Sequence, residues 1–328
     1  MTITVCRSTS ALKSMREAWN GLLDRDPHGT VFQTWEWNYA WWSAYCRSNL
    51  KARFNAELCV ATAWHGDVLV GVLPVWRSRR RKAVRFLGEH VTDYLMPLVD
   101  GAEAKAVLER FSEHLRAGVP GNALELIDVP AEHPFATIWA AHAREGSTCP
   151  RLALSGTPGR LLESISSNLR HAIRKGEREI LQSGRGNFSD ANEHDWPSAL
   201  HAFETLYASR AALKGRRTVL ADPFRPRFWR EFLALAVPAG MVRLKTLTID
   251  GEPACGILCF VHKGTTSYYA QGMDARFAPL APGNLTLWRA VEDAISAGCD
   301  TFDFLRGEEE FKMRWRPELK RNVDISLR

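Results

Sequence analysis

The chain has 328 residues, of which 45% are hydrophobic and 24% charged. This composition excludes bulk disorder and fits about two ordinary domains. Its net charge of +6 favours an anionic ligand but is too small for a dedicated nucleic-acid binder. The N-terminal sequence lacks the apolar segment of a signal peptide, and no apolar run approaches the ~20 residues of a membrane span. We therefore expect a soluble, cytoplasmic protein with no membrane span.

The first predicted elements are a tryptophan-rich helix and a buried strand. Thr34 is a good N-cap for the segment WEWNYAWWSAYC. The tryptophans of that segment fall on more than one helical face, which favours a buried helix over an aromatic ligand platform. These residues are Trp35, Trp37, Trp41 and Trp42. The longest apolar run, residues 69–76, predicts a buried strand.

An internal echo then links the two halves of the chain. Residues 64–74 and 249–259 both contain two glycines five positions apart, followed by a β-branched residue and Leu. In each case a strand runs into a Gly/Asp turn and returns as an apolar strand, which is typical of a β-hairpin. The glycine pairs are Gly66 with Gly71, and Gly251 with Gly256.

Further strand and helix patterns continue this echo. In each half a strand is followed by an amphipathic helix that closes on an Ala-Gly pair, and then by another strand. Five elements in the same order predict a duplicated unit. We expect mixed α/β sheets in two domains, residues 1–155 and 156–328, with a helical insertion at about 160–237.

The second half resembles a known family through two strings, SYYAQGMDARFAPLAPGNLTLW and AISAGCDTFDFLRGEEEFKMRW. They are similar to the BioF2-like or CelD-like acetyltransferase group, a FemAB-related branch of the GNAT superfamily. The similarity covers about residues 165–315 and is weaker in the first half. It implies tandem GNAT-like domains and transfer of an acyl group to an amine or hydroxyl. The chain departs from the family in having Phe311 where Tyr is common, and Ala281 where Ser is common.

The acyl donor is predicted to bind where residues 275–282 lead into a helix. A helix start offers unpaired N–H groups and partial positive charge, which suit a pyrophosphate. Arg276, Gly283 and Asn284 are the candidate donor-binding residues, and we expect the amides of residues 283–286 to be unpaired. The corresponding helix start of the first half carries Asp100 and Glu103, which would repel phosphate. The alternative is an ordinary loop-to-helix junction.

Charged residues after the last apolar strand are the catalytic candidates. Asp303, Glu309 and Lys312 are predicted to converge on a cleft, where one carboxylate would take the proton of the nucleophile and Lys312 would hold an anionic group. The alternative is that Glu309 and Lys312 form a helical ion pair. The resemblance also makes five residues candidates for substrate binding: Asp93, Tyr94, Tyr269, Gln271 and Arg306.

Two basic clusters remain without a role. The first, Arg77 to Lys82, has the character of a solvated turn. The second includes Arg170, Arg174 and Arg178, which share one helical face, and it could meet a carrier protein, CoA or tRNA.

Three functions are compatible with these patterns. The first is an acyltransferase that uses acyl-CoA or an acyl carrier protein as co-substrate and a small molecule or saccharide as acceptor. The second uses aminoacyl-tRNA, as FemAB proper does, and the third is a non-catalytic GNAT-like binding protein in polysaccharide or envelope assembly. We expect no permanent cofactor and no metal, because the ten histidines lack metal-ligand spacing. The seven scattered cysteines, which include no CxxC pair, predict reduced thiols. The oligomeric state is left open.

Overall fold

The computed structural model describes residues 1–48, 50–118, 121–213 and 224–327. The described strands are, in chain order, β1 (Thr2–Cys6), β2 (Ala56–Leu58), β3 (Val60–His65), β4 (Val68–Leu73), β5 (Val75–Ser78), β6 (Ala83–Phe86), β7 (Leu98–Val99), β8 (Ala123–Pro130), β9 (Ala143–Ala153), β10 (Gly186–Asp190), β11 (Val242–Ile249), β12 (Glu252–His262), β13 (Thr265–Met273), β14 (Thr301–Asp303) and β15 (Glu318–Leu327). The described α-helices are α1 (Thr9–Ser14), α2 (Arg16–Arg25), α3 (Trp35–Trp41), α4 (Leu50–Asn55), α5 (Ala104–Gly118), α6 (Pro134–Ile138), α7 (Pro158–Ser164), α8 (Ser167–Gly176), α9 (Trp196–Leu213), α10 (Arg225–Ala236), α11 (Pro282–Ser296) and α12 (Glu310–Met313).

The chain divides into two compact units. Unit 1 comprises Met1–Thr148, Arg227–Phe232 and Lys320–Arg328, and unit 2 comprises Cys149–Pro226 and Leu233–Leu319. Strand β9 carries the chain from the first unit into the second. Each unit therefore takes segments from distant parts of the sequence.

Unit 1 contains two sets of strands around an apolar core. One sheet has the order β1-β3-β4-β7, and the second set runs β15-β8-β6-β5-β2. Pro74 separates β4 from β5, so the predicted strand at residues 69–76 is two strands in different sheets. Proline cannot donate to a ladder, which explains the break. The side chains of Val107, Phe111, Leu124 and Trp139 form part of the core.

The tryptophan-rich segment of unit 1 is buried, as its pattern predicted. The Thr34 side chain accepts a hydrogen bond from the Trp37 amide at 3.2 Å and caps α3. The helix continues as a π-helical turn over Trp42–Cys46. The four tryptophans are at most 5% exposed, so this helix is a core element.

Unit 2 has helices on both faces of a mixed sheet. Its strands run β10-β11-β12-β13-β14-β9, with β13 and β14 parallel and joined through α11. Successive residues of a strand point to opposite faces. Gly256 of β12 meets α9, whereas the next residue, Ile257, packs in the cluster that contains Trp288 and Val291 of α11. Helices α9 and α11 therefore cover opposite faces.

The segment 160–237 is not helical throughout. It holds helices α7 to α10, but β10 lies between α8 and α9 and pairs with β11. Gly184, with φ +76°, turns the chain after the preceding helical segment. Phe188 of β10 then packs against the cluster formed by Leu247 and Ile249. The pairing with β11 and the partial burial of Phe188 together explain why a strand forms within a stretch of mainly helical pattern.

The repeated order of elements predicted for the two halves is present in the secondary structure. Hairpin β3–β4 turns at Gly66 (φ +60°) and hairpin β11–β12 turns at Asp250 and Gly251 (φ +53° and +82°). A strand, a helix and a parallel strand then follow in both units, as β6–α5–β8 and as β13–α11–β14. The packing differs, because Gly71 lies under α5 whereas Gly256 lies under α9. The predicted mixed α/β fold class is confirmed.

Several chemical features of the described residues bear on function. No helix among them is long and apolar enough to cross a bilayer. Within the residues that the structure describes, no group of three or more His, Cys, Asp or Glu side chains is placed to hold a metal ion. All seven cysteines are free.

Candidate active site

A pocket of about 280 Å³ opens in unit 2 at the start of α11. Strand β13, the loop before α11, the first turns of α11, and helices α9 and α12 contribute its walls. The lining residues are Arg210, Gln271, Met273, Ala278, Ala281, Gly283, Asn284, Leu287 and Phe311. Three residues predicted from sequence for binding roles, Gln271, Gly283 and Asn284, thus meet at one place.

The pocket lies beside the part of β13 that has no partner in β14. Parallel pairing of these strands covers only Thr265↔Thr301 to Ser267↔Asp303. Beyond this point Tyr269 is an extra residue of β13 relative to β12, a β-bulge between the partners of Leu258 and Cys259. A bulge bends the strand and increases its twist. Residues 268–273 of β13 therefore present an edge without a register partner in β14.

The start of α11 is left without a side-chain cap. Its N-cap residue, Ala281, is in the left-handed region (φ 47°, ψ 47°), and Pro282 occupies the first turn. The prediction that the amides of residues 283–286 are all unpaired is wrong at Asn284, whose amide donates to the Ala281 carbonyl at 3.2 Å. This i→i−3 bond is of the 3₁₀ type that is frequent at helix termini. The carbonyl of Gly283 accepts from the Gln271 side-chain amide at 2.8 Å.

Arg210 is the residue of this site that sequence reasoning missed. From α9 its Nη1 donates to the Gln271 carbonyl at 2.8 Å and to the Gln271 Oε1 at 3.3 Å. Its guanidinium lies 5.8 Å from the ring centroid of Phe311 and hydrogen-bonds the Tyr268 hydroxyl, while burial raises the pKa of Tyr268. Arg210 thus links α9 to β13 and brings a positive charge to the wall of the pocket.

The position of Arg210 depends on two glycines. Gly256 and Gly272 are opposite each other on β12 and β13, and both face α9. A Cβ added to Gly272 would lie 2.6 Å from the backbone carbonyl carbon of Leu206. The absence of side chains therefore lets α9 approach the sheet closely. These facing glycines were the one signal in the sequence that could have indicated Arg210.

Arg276 forms ion pairs outside the pocket. Its Nη2 lies 2.6 Å from Glu252 and 2.9 Å from Asp274, and its side chain is 64% exposed. The hydrogen bond from Arg276 lowers the pKa of Asp274. Arg276 is not among the pocket-lining residues, so its predicted contact with a donor would require these two ion pairs to rearrange.

The three predicted catalytic residues lie at or contact the loop between β14 and α12, and none of them is among the residues that line the pocket. Asp303, 2% exposed, accepts from Arg151 Nε at 2.9 Å and from the Leu305 amide at 2.7 Å. The Lys312 ammonium lies 2.8 Å from a Glu309 carboxylate oxygen and donates to the Arg306 carbonyl at 2.7 Å. Asp303 and Lys312 thereby hold a loop whose backbone is left-handed at Leu305 (φ +56°).

The remaining substrate-binding candidates are spread over both units. Tyr269 contacts the Phe260 ring at a centroid distance of 5.3 Å, and Arg306 is exposed. In unit 1 the Asp93 carbonyl accepts from the Asn322 side chain at 2.8 Å. Tyr94 is 2% exposed, and its carbonyl accepts from Gln33.

The chain resembles known proteins in sequence over one segment and in fold over its whole length. Residues 167–313 match the family model of the acetyltransferase (GNAT) domain. No curated protein matches the sequence. FemX aligns with a TM-score of 0.68 at 10% identity, covering 100% of this chain and 98% of that chain.

Two further solved structures share the fold. The C-terminal domain of a putative lysylphosphatidylglycerol synthetase from Agrobacterium fabrum aligns with a TM-score of 0.57 at 12% identity, over 97% of this chain and 92% of that chain. A tandem GNAT protein from the clavulanic acid biosynthesis pathway aligns at 0.51 and 11% identity, over 99% and 98%. Residues 167–313 therefore resemble the acetyltransferase (GNAT) domain family in sequence, and the whole chain shares its fold with FemX and with the tandem GNAT protein.

Proposed function

We propose that the protein transfers an acyl group from a thioester, acyl-CoA or an acyl carrier protein, to an amine or hydroxyl of a small molecule or saccharide. The observation that carries this proposal is the pocket in unit 2. A helix start without a side-chain cap, a cation and the part of β13 beyond its pairing with β14 surround one volume of about 280 Å³.

The helix start suits the phosphates of such a donor. Helix α11 has 15 residues and no acidic residue in its first turn, so its dipole favours an anion at this end. Arg210 adds a positive charge to the same pocket. In unit 1, by contrast, the Asp100 carboxylate accepts from the Ala102 amide at 3.1 Å, just before α5. A carboxylate therefore lies just before that helix start.

The strand edge suits the extended arm that carries the thioester. An amide-containing chain can add to a strand edge through main-chain hydrogen bonds, and residues 268–273 of β13 lie beside the pocket beyond the pairing with β14. The Gln271 carbonyl of this stretch already accepts from Arg210. Chemically, the acceptor nitrogen or oxygen forms a bond to the thioester carbon, the carbon–sulfur bond breaks, and the thiol leaves.

The proton of the acceptor must be removed in this reaction. Glu309, whose side chain is 45% exposed, is the better base of the two predicted carboxylates, because Asp303 is buried and bonded to Arg151. Lys312 would then act by holding the Glu309 carboxylate and the loop rather than by meeting substrate.

The second candidate uses an aminoacyl-tRNA as the donor. Its aminoacyl group is an oxygen ester, and transfer to an amine follows the same course as transfer from a thioester. Two observations favour it: the full-length fold similarity to FemX and to a protein named as a lysylphosphatidylglycerol synthetase, and the exposed cations Arg174, Lys175 and Arg178. We prefer the thioester donor because the features that suit it lie around one pocket of unit 2.

The test is a donor panel with a matched pair of variants. Acetyl-CoA, longer acyl-CoAs, acyl carrier protein and charged tRNA are each incubated with amine and saccharide acceptors, and products are identified by mass spectrometry. We expect product from a thioester donor. Product only from charged tRNA would select the second candidate, and no product from any donor would favour the non-catalytic alternative.

The paired variants locate the donor. Gly283→Asp places a carboxylate at the start of α11 and is expected to weaken CoA binding by about 1 kcal/mol or more. Gly159→Asp is the control, because Gly159 also follows a proline at a helix start and has open space around it. Equal CoA affinity for both variants, measured by calorimetry, would remove this pocket as the donor site.

A further inference from the structure

Helix α4 of unit 1 presents two large apolar side chains to solvent. Leu50 is 69% exposed and Phe54 is 72% exposed. Their i,i+4 spacing places them on one helical face, and no residue of the helix is buried. Neither side chain anchors the helix to the core, so this apolar face has no role in folding unit 1.

Cations flank this apolar pair. Lys51 and Arg53 are exposed on the same helix, and the exposed Arg47 precedes it. The Arg53 Nε donates to the Arg47 carbonyl at 3.1 Å, and this hydrogen bond links the helix to the residues before it. Both apolar and cationic side chains of this helix are therefore exposed to solvent.

The first basic cluster of the sequence adjoins the end of this helix. It forms the turn between β5 and β6, with Arg79, Arg80, Arg81 and Lys82 all exposed. The Arg79 amide donates to the Asn55 carbonyl and the Arg80 amide to the Asn55 side chain, both at 2.8 Å. The turn and the end of α4 thus form one local structure.

Most charges of this turn are not neutralised within the protein. Glu57 pairs with Arg77 and, at 3.6 Å, with Arg79. In the described residues no carboxylate lies within ion-pair distance of Arg80, Arg81 or Lys82. A surface with unneutralised cations beside exposed leucine and phenylalanine calls for a ligand that is both anionic and apolar.

We propose that this surface, which we call the α4 patch (Arg47, Leu50, Lys51, Arg53, Phe54, Arg80, Arg81 and Lys82), docks the protein on an anionic lipid bilayer. Leu50 and Phe54 enter the boundary between headgroups and acyl chains, and the cations contact the headgroups. This inference does not depend on the proposed acyl transfer.

Two other occupants fit less well. A second copy of the chain would bring six like charges against six others, which opposes association. RNA would satisfy the cations and could stack on Phe54, but it offers nothing to Leu50. A bilayer accommodates all eight side chains.

The experiment is co-sedimentation of the protein with lipid vesicles. The parent is expected to bind phosphatidylcholine vesicles that contain about one third phosphatidylglycerol, to bind pure phosphatidylcholine far less, and to dissociate at high salt. Because each cation near the surface contributes about fivefold, R80Q/R81Q/K82Q should weaken binding by about 100-fold. L50S/F54S should weaken it by at least about tenfold.

Two control variants match these changes elsewhere on the surface. R174Q/K175Q/R178Q removes the same charge from the other basic cluster, and V68S/L319S removes two other exposed apolar side chains. Both are expected to bind vesicles like the parent, and thermal melting should show that all four variants are folded.

Four outcomes overturn the proposal. They are no binding of the parent to the anionic vesicles, an equal loss in a control variant, a changed oligomeric state in L50S/F54S with vesicle binding intact, and loss of binding to bulk tRNA in the α4-patch variants with vesicle binding intact. The last result would identify an RNA surface instead.

Discussion

The loop between β14 and α12 is held by charged side chains that are also the catalytic candidates. Asp303 uses both carboxylate oxygens on Arg151 and on the Leu305 amide. Lys312, whose side chain is 4% exposed, faces Glu309 and the carbonyls of the loop. These charged residues can therefore act in catalysis or only in holding the loop, and an experiment has to distinguish the two roles.

Glu309→Gln and Asp303→Asn make that separation. We expect Glu309→Gln to lower turnover at saturating substrates by ~10²-fold or more, because a positioned base is lost. It should also lower stability, because the buried Lys312 ammonium loses its carboxylate partner. Asp303→Asn should instead lower the free energy of unfolding by about 1–3 kcal/mol, since a buried charged hydrogen bond is removed.

Glu310→Gln is the control for both variants, because this neighbouring carboxylate is 83% exposed and pairs only with Arg314 in the described structure. It should keep parental turnover and stability. If Glu309→Gln and Asp303→Asn both keep turnover within about threefold, against the ~10²-fold of a lost base, this cluster is structural. The base must then be sought around Asp93 and Tyr94.

Glu89 of unit 1 predicts a pH dependence of stability. It is 4% exposed, and burial raises its pKa from 4.5 to about 7 despite the attraction of Arg85. Because the folded pKa lies above the unfolded one, the stabilising contribution is complete below about pH 4.5 and is lost as pH rises through about 7. Glu89→Gln should therefore match the parent near pH 4.5 and become more stable by up to about 3 kcal/mol at pH 8.

Urea unfolding across this pH range measures the difference. Glu125→Gln is the matched control, since Glu125 pairs with the same Arg85 from a more exposed position, 39% against 5%. A constant difference between Glu89→Gln and the parent at all pH values would show that Glu89 does not titrate in this range.

At the scale of elements, the close approach of α9 to the sheet of unit 2 connects fold and site. The facing glycines Gly256 and Gly272 make room for the helix, and the helix places Arg210 against Gln271. The pocket is therefore sensitive to changes on a face of the sheet that it does not line.

Gly272→Ala should displace α9 more than Gly256→Ala does. A Cβ at 272 meets the backbone of Leu206 at 2.6 Å, whereas one at 256 meets only side chains, at 3.1 Å from Phe203 and 3.3 Å from Leu206. Side chains can shift where a helix backbone cannot, so we expect a loss of about 1–3 kcal/mol for Gly272→Ala and less for Gly256→Ala.

Denaturant unfolding gives these values, and CoA calorimetry on the same variants tests the link to the pocket. Gly272→Ala should also weaken CoA binding because Arg210 moves with α9. Parental stability and affinity in Gly272→Ala would mean that the approach of α9 is not tight, and that Arg210 is positioned independently of it.

At the scale of the whole molecule, net charge distinguishes the two donor classes. With +6 overall, the protein carries no large excess of cations, and a thioester donor needs only those of one pocket. We expect its affinity to fall less than tenfold between about 50 and 200 mM salt, whereas a tRNA held by six or more phosphate contacts would lose at least ~10³-fold. Fluorescence anisotropy of labelled donors at both salt concentrations measures this. A steep slope for the productive donor would favour the aminoacyl-tRNA candidate.

Local features of the fold followed from the sequence because their causes are local. The Thr34 cap requires only a side chain within three residues of its amide partner, and the hairpin at Gly251 requires only a left-handed turn between two apolar strands. The strand, helix and strand of each half likewise follow from periodicity and end signals. Segments with conflicting signals were less predictable: β10 formed within a helical pattern, where it pairs with β11 and packs the partly buried Phe188 against the cluster of Leu247 and Ile249.

The site itself was only partly determined by the sequence. Gly283 and Asn284 could be placed at a helix start from the order of residues alone, and Gln271 lies on the strand before it. Arg210 joins them from 61 positions away from Gln271, through the packing of a helix on two facing glycines. Burial also decided what each charge does: Arg276 pairs with Glu252 and Asp274 outside the pocket, and Glu89 is held in a buried pair with Arg85. Distances between residues remote in sequence, and the water each one loses, are properties of the tertiary structure alone.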